Sequence, residues 1–178
     1  ILAKAVATMT RSSTRSEKRF GTASIVSDDA FIDIATLRTE TYAAPGVLPK
    51  VQLGATIEAD LGRRDFNVNA LAIALTGSRS GEFIDLFDGL TDLSHHRFHA
   101  LREDTFEQDA TRLWRAARLS AHRDLHPTTS TLSMISDGTC WISTVSGDRL
   151  WTEFALIAER GRAGRTLKLL DEWGVLEK

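Results

Sequence analysis

The sequence predicts an α+β fold, with a small antiparallel sheet near the start and an all-helical region after about residue 104. The segments RFGTASIV and FIDIATLR are rich in β-branched and aromatic residues, and SDDA between them supplies turn residues. Every periodic segment beyond Asp104 has helical spacing instead. A run of strands followed by a run of helices is typical of α+β proteins.

Composition limits the classes of protein that this chain can represent. Its 178 residues, 42% hydrophobic and 26% charged, are enough for one folded domain or two small lobes. The net charge of −2 excludes a polycation, so contact with nucleic acid would depend on local arginine clusters such as the one in 97–123. Cys140 is the single cysteine, which excludes an internal disulfide. Without an apolar run of membrane-spanning length or a signal peptide, we expect a cytoplasmic protein with no membrane partner.

The first sixty residues combine a helix, strands and a long loop. ILAKAVATM has helical spacing and is interpreted as the end of a helix, and residues 10–19 as a loop or an edge strand. RFGTASIV and FIDIATLR form a hairpin in which Asp33 shares a face with apolar neighbours. An acid in an apolar row is costly unless it has a partner or a metal. Residues 39–62 show no sustained period and predict a long loop.

The middle and last parts of the chain alternate between helix and turn signals. DFNVNALAIALTG predicts a helix stopped by Gly77, and residues 81–101 predict a short strand, a turn at Asp88 and Gly89, and a short helix or extended segment. Four helical segments follow: TFEQDATRLWRAARLSAHR, HPTTSTLSMISDG, ISTVSGDRLWTEFALIAERG and RAGRTLKLLDEWGVL.

Charged and amide groups are concentrated in RRDFNVNALA, residues 63–72. In one interpretation Asp65 caps a helix while Arg63 and Arg64 are solvated. In the other, the cluster binds a polyanionic ligand that carries hydroxyl groups, such as a nucleotide: Asp65 accepts from ribose hydroxyls and Arg64 offers a planar donor fork to phosphate oxygens. Asn69 lies one helical turn after Asp65 on the same face.

Five segments in order resemble one enzyme family. They are DIATLRTETY at 33–42, RRDFNVNALA at 63–72, IDLFDGLTDL at 84–93, QDATRLWRAARL at 108–119 and VSGDRLWTEF at 145–154. Over essentially the whole chain the sequence resembles the class II tRNA nucleotidyltransferases, the bacterial-type CCA-adding enzymes and their poly(A) polymerase relatives. The resemblance implies an enzyme that adds CMP and AMP from CTP and ATP to the tRNA 3′ end, with Mg²⁺ as cofactor.

The resemblance also implies which residues bind the nucleotide. They are Arg64, Asp65, Asn69, Asp109, Arg112, Arg115 and Arg118. In the family's EDPTRLLRAARL element an aspartate and an arginine on one helix act as a template for cytosine and adenine, which assigns that role to Asp109 and Arg112. Their i, i+3 spacing places an acceptor beside a donor fork; the alternative is a solvated salt-bridge face. Arg149 matches a family position that braces the neck, a structural role.

The family's metal site is only partly represented. DIATLRTETY resembles the strand that brings a third carboxylate to the catalytic metals, which makes Asp33 the catalytic and metal-binding candidate. The glycine-rich GGxVRD element and the DxD pair of the family do not occur in these residues. We therefore expect an N-terminally truncated protein, a partial or pseudogenised copy, or one half of a split enzyme whose missing head strands come from a separate chain. It should bind nucleotide but not extend tRNA by itself.

The expected organisation follows from the same resemblance. Residues 1–103 would be a partial nucleotidyltransferase head of the polymerase β type, and residues 104–178 a helical neck and body that bind the nucleotide and RNA. Two other functions remain open: a poly(A) polymerase, and a non-catalytic helical RNA-binding module. The sequence does not separate CCA addition from CC addition or A addition.

Overall fold

A computed structural model describes residues 2–10, 12–18, 20–27, 31–159 and 161–177. The chain divides into two compact units, Ile1–Thr41 with Lys50–Asp60, and Tyr42–Pro49 with Leu61–Lys178. The α+β class is confirmed, with small sheets first and helices after them. The predicted head and neck boundary at residue 103 is a different division and stays a prediction.

The described helices and strands are bounded as follows. The helices are α1 (Leu2–Thr10), α2 (Ile57–Gly62), α3 (Gly89–Ser94), α4 (Thr105–Gln108), α5 (Thr111–Arg123), α6 (Thr129–Gly138), α7 (Gly147–Glu159) and α8 (Ala163–Glu172). The strands are β1 (Ser13–Glu17), β2 (Thr22–Val26), β3 (Phe31–Ala35), β4 (Arg38–Thr41), β5 (Lys50–Leu53), β6 (Leu71–Ile73), β7 (Phe83–Asp85), β8 (Arg97–Phe98) and β9 (His126–Pro127). Asn67–Asn69 and Thr139–Thr144 form 3-10 helices. None of the helices in the described part of the chain has the length and apolarity needed to cross a bilayer.

The first unit contains the predicted hairpin. Strands β2 and β3 pair antiparallel, and β1 pairs with the other edge of β2. Within the segment left open as loop or edge strand, residues 13–17 therefore form an edge strand. The predicted SDDA turn includes residues 28–30, which lie outside the described residues. The long loop predicted for 39–62 is wrong, because β4 and β5 pair as a second antiparallel hairpin before α2.

The face of β3 that carries Asp33 is exposed. Phe31 is 66% exposed, and Asp33 and Ala35 are exposed as well. The apolar row that contains Asp33 is therefore not part of a buried core. Because the carboxylate faces solvent, it carries no desolvation cost that a metal would have to offset.

The second unit is built around α5. Its apolar core contains Phe66, Phe98, Phe106, Leu113, Ile135, Ile157 and Leu170 among others. Helices α7 and α8 both pack against α5. The apolar side chains on the packed side of α5 include Leu113, Ala116 and Ala117, which are fully buried.

The helix predicted over 65–77 does not form. One 3-10 turn, Asn67–Asn69, is followed by β6, which pairs antiparallel with β7. Tertiary contacts explain the difference: the Asn67 side chain is fully buried, donates to Asp92 Oδ2 at 2.8 Å, and accepts from the His99 N–H at 2.9 Å. These bonds hold the Asn67 side chain in the core, where the chain makes one 3-10 turn and then continues as β6.

The helix predicted over 105–123 is interrupted at Asp109. This residue is extended, with φ −152° and ψ 96°, so α4 ends before it and α5 begins at Thr111. Its Oδ1 accepts from the Thr111 N–H at 3.1 Å and from the Thr111 hydroxyl at 2.7 Å. An aspartate that binds a backbone N–H two residues later favours the start of a new helix. The later predicted helices are present as α6, α7 and α8.

Candidate functional site

A cavity of about 410 Å³ lies in the second unit, beside α5. It is lined by Asp65, Asn69, Arg115, Arg118, Leu119, His122 and Arg123. Four of these were predicted from the sequence: Asp65 just before the 3-10 turn, Asn69 at its end, and Arg115 and Arg118 on α5. The structure thus brings together two segments that are fifty residues apart in the sequence.

Asp65 is the buried centre of the cavity wall. Its side chain is 3% exposed. Oδ1 accepts from the Phe66 N–H at 2.9 Å and from Asn69 Nδ2 at 3.1 Å. Oδ2 accepts from Arg115 Nε at 2.8 Å and Nη2 at 2.7 Å. Burial alone would raise the pKa of Asp65, but the nearby Arg115 charge and these hydrogen bonds hold it below its ordinary value.

These contacts decide between the two interpretations of the RRDFNVNALA segment. The first interpretation, in which Asp65 caps a helix, is wrong because no α-helix follows Asp65 and the 3-10 turn has no side-chain cap. In the observed conformation each carboxylate oxygen of Asp65 already accepts two hydrogen bonds. The carboxylate therefore fixes Arg115, whose side chain is 44% exposed and presents its guanidinium to the cavity.

Arg64 and Arg112, which were also predicted to bind the nucleotide, are not among the described residues that line the cavity. Arg64 Nη1 donates to the Asn69 carbonyl at 2.9 Å, across the 3-10 turn. Arg112 is 6% exposed, and it donates to the Thr105 hydroxyl at 2.7 Å and to the Arg63 carbonyl at 3.3 Å. Within the described ranges no carboxylate lies within ion-pairing distance of Arg112. A buried guanidinium without a counter-charge is costly, and an acceptor-rich ligand would reduce that cost.

Asp109 forms an ion pair with Arg149 and not with Arg112. Arg149 Nη2 lies 2.7 Å from Asp109 Oδ2 and 2.8 Å from Oδ1. Arg149 Nη1 also donates to the Gly46 carbonyl at 3.2 Å, so it ties residues 42–49 to the starts of α5 and α7. This matches the bracing role expected of Arg149. The expected placement of Asp109 and Arg112 on one helix is wrong, because Asp109 precedes α5.

Arg118 and Glu153 form an ion pair that joins α5 to α7. The two side chains are 16% and 12% exposed. Arg118 therefore lines the cavity while Glu153 balances its charge. Sequence reasoning missed this pairing, and it missed that His122 and Arg123 also line the cavity. The signal was available: positions 115, 119, 122 and 123 follow the i, i+4, i+7, i+8 spacing of one helix face.

Asp33 lies in the first unit and is described by itself. Its Oδ1 accepts a hydrogen bond from the Ser24 hydroxyl at 2.6 Å. Ser24 on β2 is the residue directly opposite Asp33 on β3. Across the residues that the structure describes, no three histidine, cysteine, aspartate or glutamate side chains are placed to hold a metal ion. The described residues therefore do not form a complete metal site, and Asp33 supplies at most one ligand.

The acids of IDLFDGLTDL have structural partners. Asp85 accepts from the N–H groups of Gly89 at 2.8 Å and Leu90 at 2.9 Å, at the start of α3. Asp92 is 5% exposed and accepts from Arg97 Nε at 2.6 Å. Burial would raise the pKa of Asp92, but hydrogen bonds from Arg97, His99 and Asn67 lower it. These contacts agree with the interpretation of this segment as a turn.

Comparison with known proteins identifies relatives of this chain. Residues 2–99 match the family described as the poly A polymerase head domain. The CC-adding tRNA nucleotidyltransferase of Deinococcus radiodurans is 37% identical over 142 residues, which are 80% of this chain and 37% of that protein. The chain spans between a fifth and somewhat over a third of the length of the curated relatives it matches.

Solved structures of similar proteins have the same fold. An apo form of a CCA-adding enzyme superimposes with a TM-score of 0.87 at 29% identity, covering 98% of this chain and 42% of that one. A tRNA nucleotidyltransferase complexed with a primer tRNA and an incoming ATP analogue gives a TM-score of 0.80 at 28% identity, covering 99% of this chain and 49% of the other.

Proposed function

This chain belongs to the poly A polymerase head-domain family of nucleotidyltransferases, and from that premise we propose that its protein adds nucleotides to the tRNA 3′ end. The proposed substrates are CTP and ATP, and the acceptor is a tRNA that lacks part or all of its CCA end. A cytoplasmic location, a head formed by residues 1–103 and a neck and body formed by residues 104–178 belong to the same proposal.

The observation that carries the proposal is the arginine-lined cavity anchored by Asp65. Arg115 is held there by a bidentate contact with the buried carboxylate and still exposes part of its guanidinium. A guanidinium fixed in this way can bind phosphate oxygens with little further loss of side-chain entropy. Arg118 on the next turn of α5 extends the same wall.

The base of the nucleotide would be read by Arg112 and Asp109. Arg112 is buried and has carbonyl and hydroxyl partners but no carboxylate partner within the described ranges, so it has donors suited to the acceptors of a base. Asp109 accepts from Arg149 and Thr111. For Asp109 to accept from a base amino group, its contact with Arg149 must be shared or released. We therefore propose that nucleotide binding rearranges the Asp109 and Arg149 pair.

Nucleotidyltransferases of this family generally use divalent metal ions. We propose Mg²⁺ as the ion and Asp33 as one of its ligands. The described residues alone do not complete such a site. We further propose that residues 1–178 by themselves bind nucleotide without extending tRNA, and incorporation of CMP into a tRNA by this chain would contradict that proposal.

Calorimetric titration of the chain with CTP and ATP tests the nucleotide site. We expect both to bind, and Arg112→Met to weaken binding at least tenfold, because one lost charge-assisted contact to a base or phosphate costs about 1.5–3 kcal/mol. Arg79→Gln is the matched control: Arg79 pairs with Glu82 in the turn between β6 and β7, away from the cavity lining. Failure of wild type to bind either nucleotide would rule out the proposed function.

Nucleotide preference separates the alternatives within the family. The matched family is described as the poly A polymerase head domain, so a poly(A) polymerase is the second candidate. Such an enzyme should bind ATP and ignore CTP, whereas a CCA-adding or CC-adding enzyme must bind CTP. An A-adding enzyme should prefer ATP, and it should use ATP only with a tRNA that already ends in CC.

A further inference from the structure

The cavity extends beyond the residues assigned to the nucleotide. Its outer end is lined by Leu119, His122 and Arg123, in the last turns of α5. Arg123 lies eight positions after Arg115. The stripe of α5 from Arg115 to Arg123 is therefore about 12 Å long at about 1.5 Å per helical residue. That length can contact more than one phosphate group.

The charges along this stripe are not balanced equally. Arg115 is paired with Asp65, and Arg118 with Glu153. The carboxylate next in sequence to Arg123 is Asp124, which is engaged by Arg165 at 2.6 Å.

Arg123 is the exception along the stripe. In the ranges that the structure describes, no carboxylate lies within ion-pairing distance of its guanidinium. The outer end of the cavity therefore carries a positive charge without an internal counter-charge.

A basic residue in the last turn of a helix has a simpler explanation. Lys, Arg and His near a helix C-terminus interact favourably with the helix dipole, by about 0.3–1 kcal/mol. That accounts for a cation in this turn but not for its position on the cavity face. Arg123 follows Arg115 at i+8, on the stripe that points into the cavity, together with the half-buried His122.

We propose that His122 and Arg123 form a phosphate-binding subsite at the outer end of the cavity. The ligand is a phosphate group, either of an RNA strand whose 3′ end enters the cavity or of a nucleoside triphosphate. Arg123 supplies the uncompensated charge, and the His122 imidazole supplies a ring N–H. The RNA source rests on the proposed function, but phosphate binding itself does not.

Arg123→Gln tests the subsite with three probes: inorganic tripolyphosphate, CTP, and a single-stranded RNA ending in CC. Arg79→Gln removes the same charge from an exposed turn and is the matched control. Because Arg123 is exposed, the variant should fold, which thermal unfolding will verify. Arg123→Lys keeps the charge and should recover part of the lost affinity.

We expect Arg123→Gln to weaken tripolyphosphate binding about three- to tenfold. If the phosphate belongs to RNA, the slope of log K against log salt for RNA should fall by about 0.7, the value for one lost contact to a single strand. If it belongs to the triphosphate, CTP affinity should fall and the RNA slope should stay constant. Behaviour identical to Arg79→Gln with all three probes would overturn the proposal. Failure of the wild-type chain to bind CTP would instead count against the proposed function. The tripolyphosphate result would still decide whether the subsite exists.

Discussion

The two compact units differ in how much of their sequence is fixed by burial. Among the described residues of the first unit, Ala7 and Ile25 are the buried apolar side chains. The described residues of the second unit include a core of sixteen buried apolar side chains around α5. Two aspartates show the consequence: Asp33 faces solvent with one hydroxyl partner, whereas Asp65 is 3% exposed and saturated with donors. The same residue type thus has different constraints in the two units.

The largest expected contrast is between two glycines with positive φ. Gly46, in the second unit, has φ +73°, and a Cβ there would lie 2.3 Å from the Thr144 carbonyl oxygen. Gly54, in the first unit, has φ +88° and nothing within 4 Å of a Cβ. Gly54→Ala should cost about 1 kcal/mol, the cost of a left-handed conformation, and Gly46→Ala about 3 kcal/mol. Urea unfolding measures both, and equal costs would mean that the backbone near Thr144 yields easily.

Asp65→Asn and Asp33→Asn compare the two acids directly. Asp65→Asn leaves Arg115 without its carboxylate partner. Breaking a buried pair costs about 3–5 kcal/mol, and we reduce this to about 2 because Arg115 is 44% exposed. Asp33→Asn should change the free energy of unfolding by less than about 0.5 kcal/mol. A large loss of stability in the Asp33 variant would contradict the description of its strand as an exposed surface.

Acid sensitivity should sharpen the same contrast. Because Asp65 has a lowered pKa in the folded state, it contributes stability at pH values above its ordinary pKa of 3.8. That contribution is lost as the pH falls through the lower folded value. In Asp65→Asn the acid-induced loss of stability should therefore be smaller than in wild type.

Arg115→Gln should also weaken the acid response of the folded protein. With the Arg115 charge removed, burial raises the pKa of Asp65 relative to its value in wild type. The smaller lowering of the folded pKa leaves Asp65 with less stability to lose as the pH falls. Unfolding in urea across pH 2–6 measures both variants. Identical profiles for wild type and both variants would show that Asp65 does not govern the acid response.

Sequence patterns predicted the elements whose signals are local. The hairpin of β2 and β3 follows from β-branched residues around a turn, and α5 to α8 follow from sustained helical periodicity. The cavity wall was predicted in part, because Asp65, Asn69, Arg115 and Arg118 lie in recognisable motifs. Their pairing was not, since a motif gives the residue types but not which donor satisfies which acceptor.

The errors have a common physical cause. Residues 65–77 have helical spacing, yet Asn67 is held by Asp92 and His99, which are 25 and 32 residues away in the sequence. The break at Asp109 involves Arg149, which is 40 residues away. Buried polar groups must find partners, and this requirement overrides local helix propensity. Similarly, strand composition does not reveal that the Asp33 face is exposed.

The smallest expected effect tests whether burial, and not membership of a unit, explains the contrast. Asp124 and Arg165 form an ion pair in the second unit with side chains 61% and 43% exposed. Arg165 and the hydrogen bond it donates lower the pKa of Asp124, as Arg115 does for Asp65. Solvent screens the exposed pair, so Arg165→Gln should leave the midpoint of urea unfolding unchanged within error. A shift comparable with that of Asp65→Asn would mean that the surroundings of α5, and not the exposure of each pair, set the strength of its ion pairs.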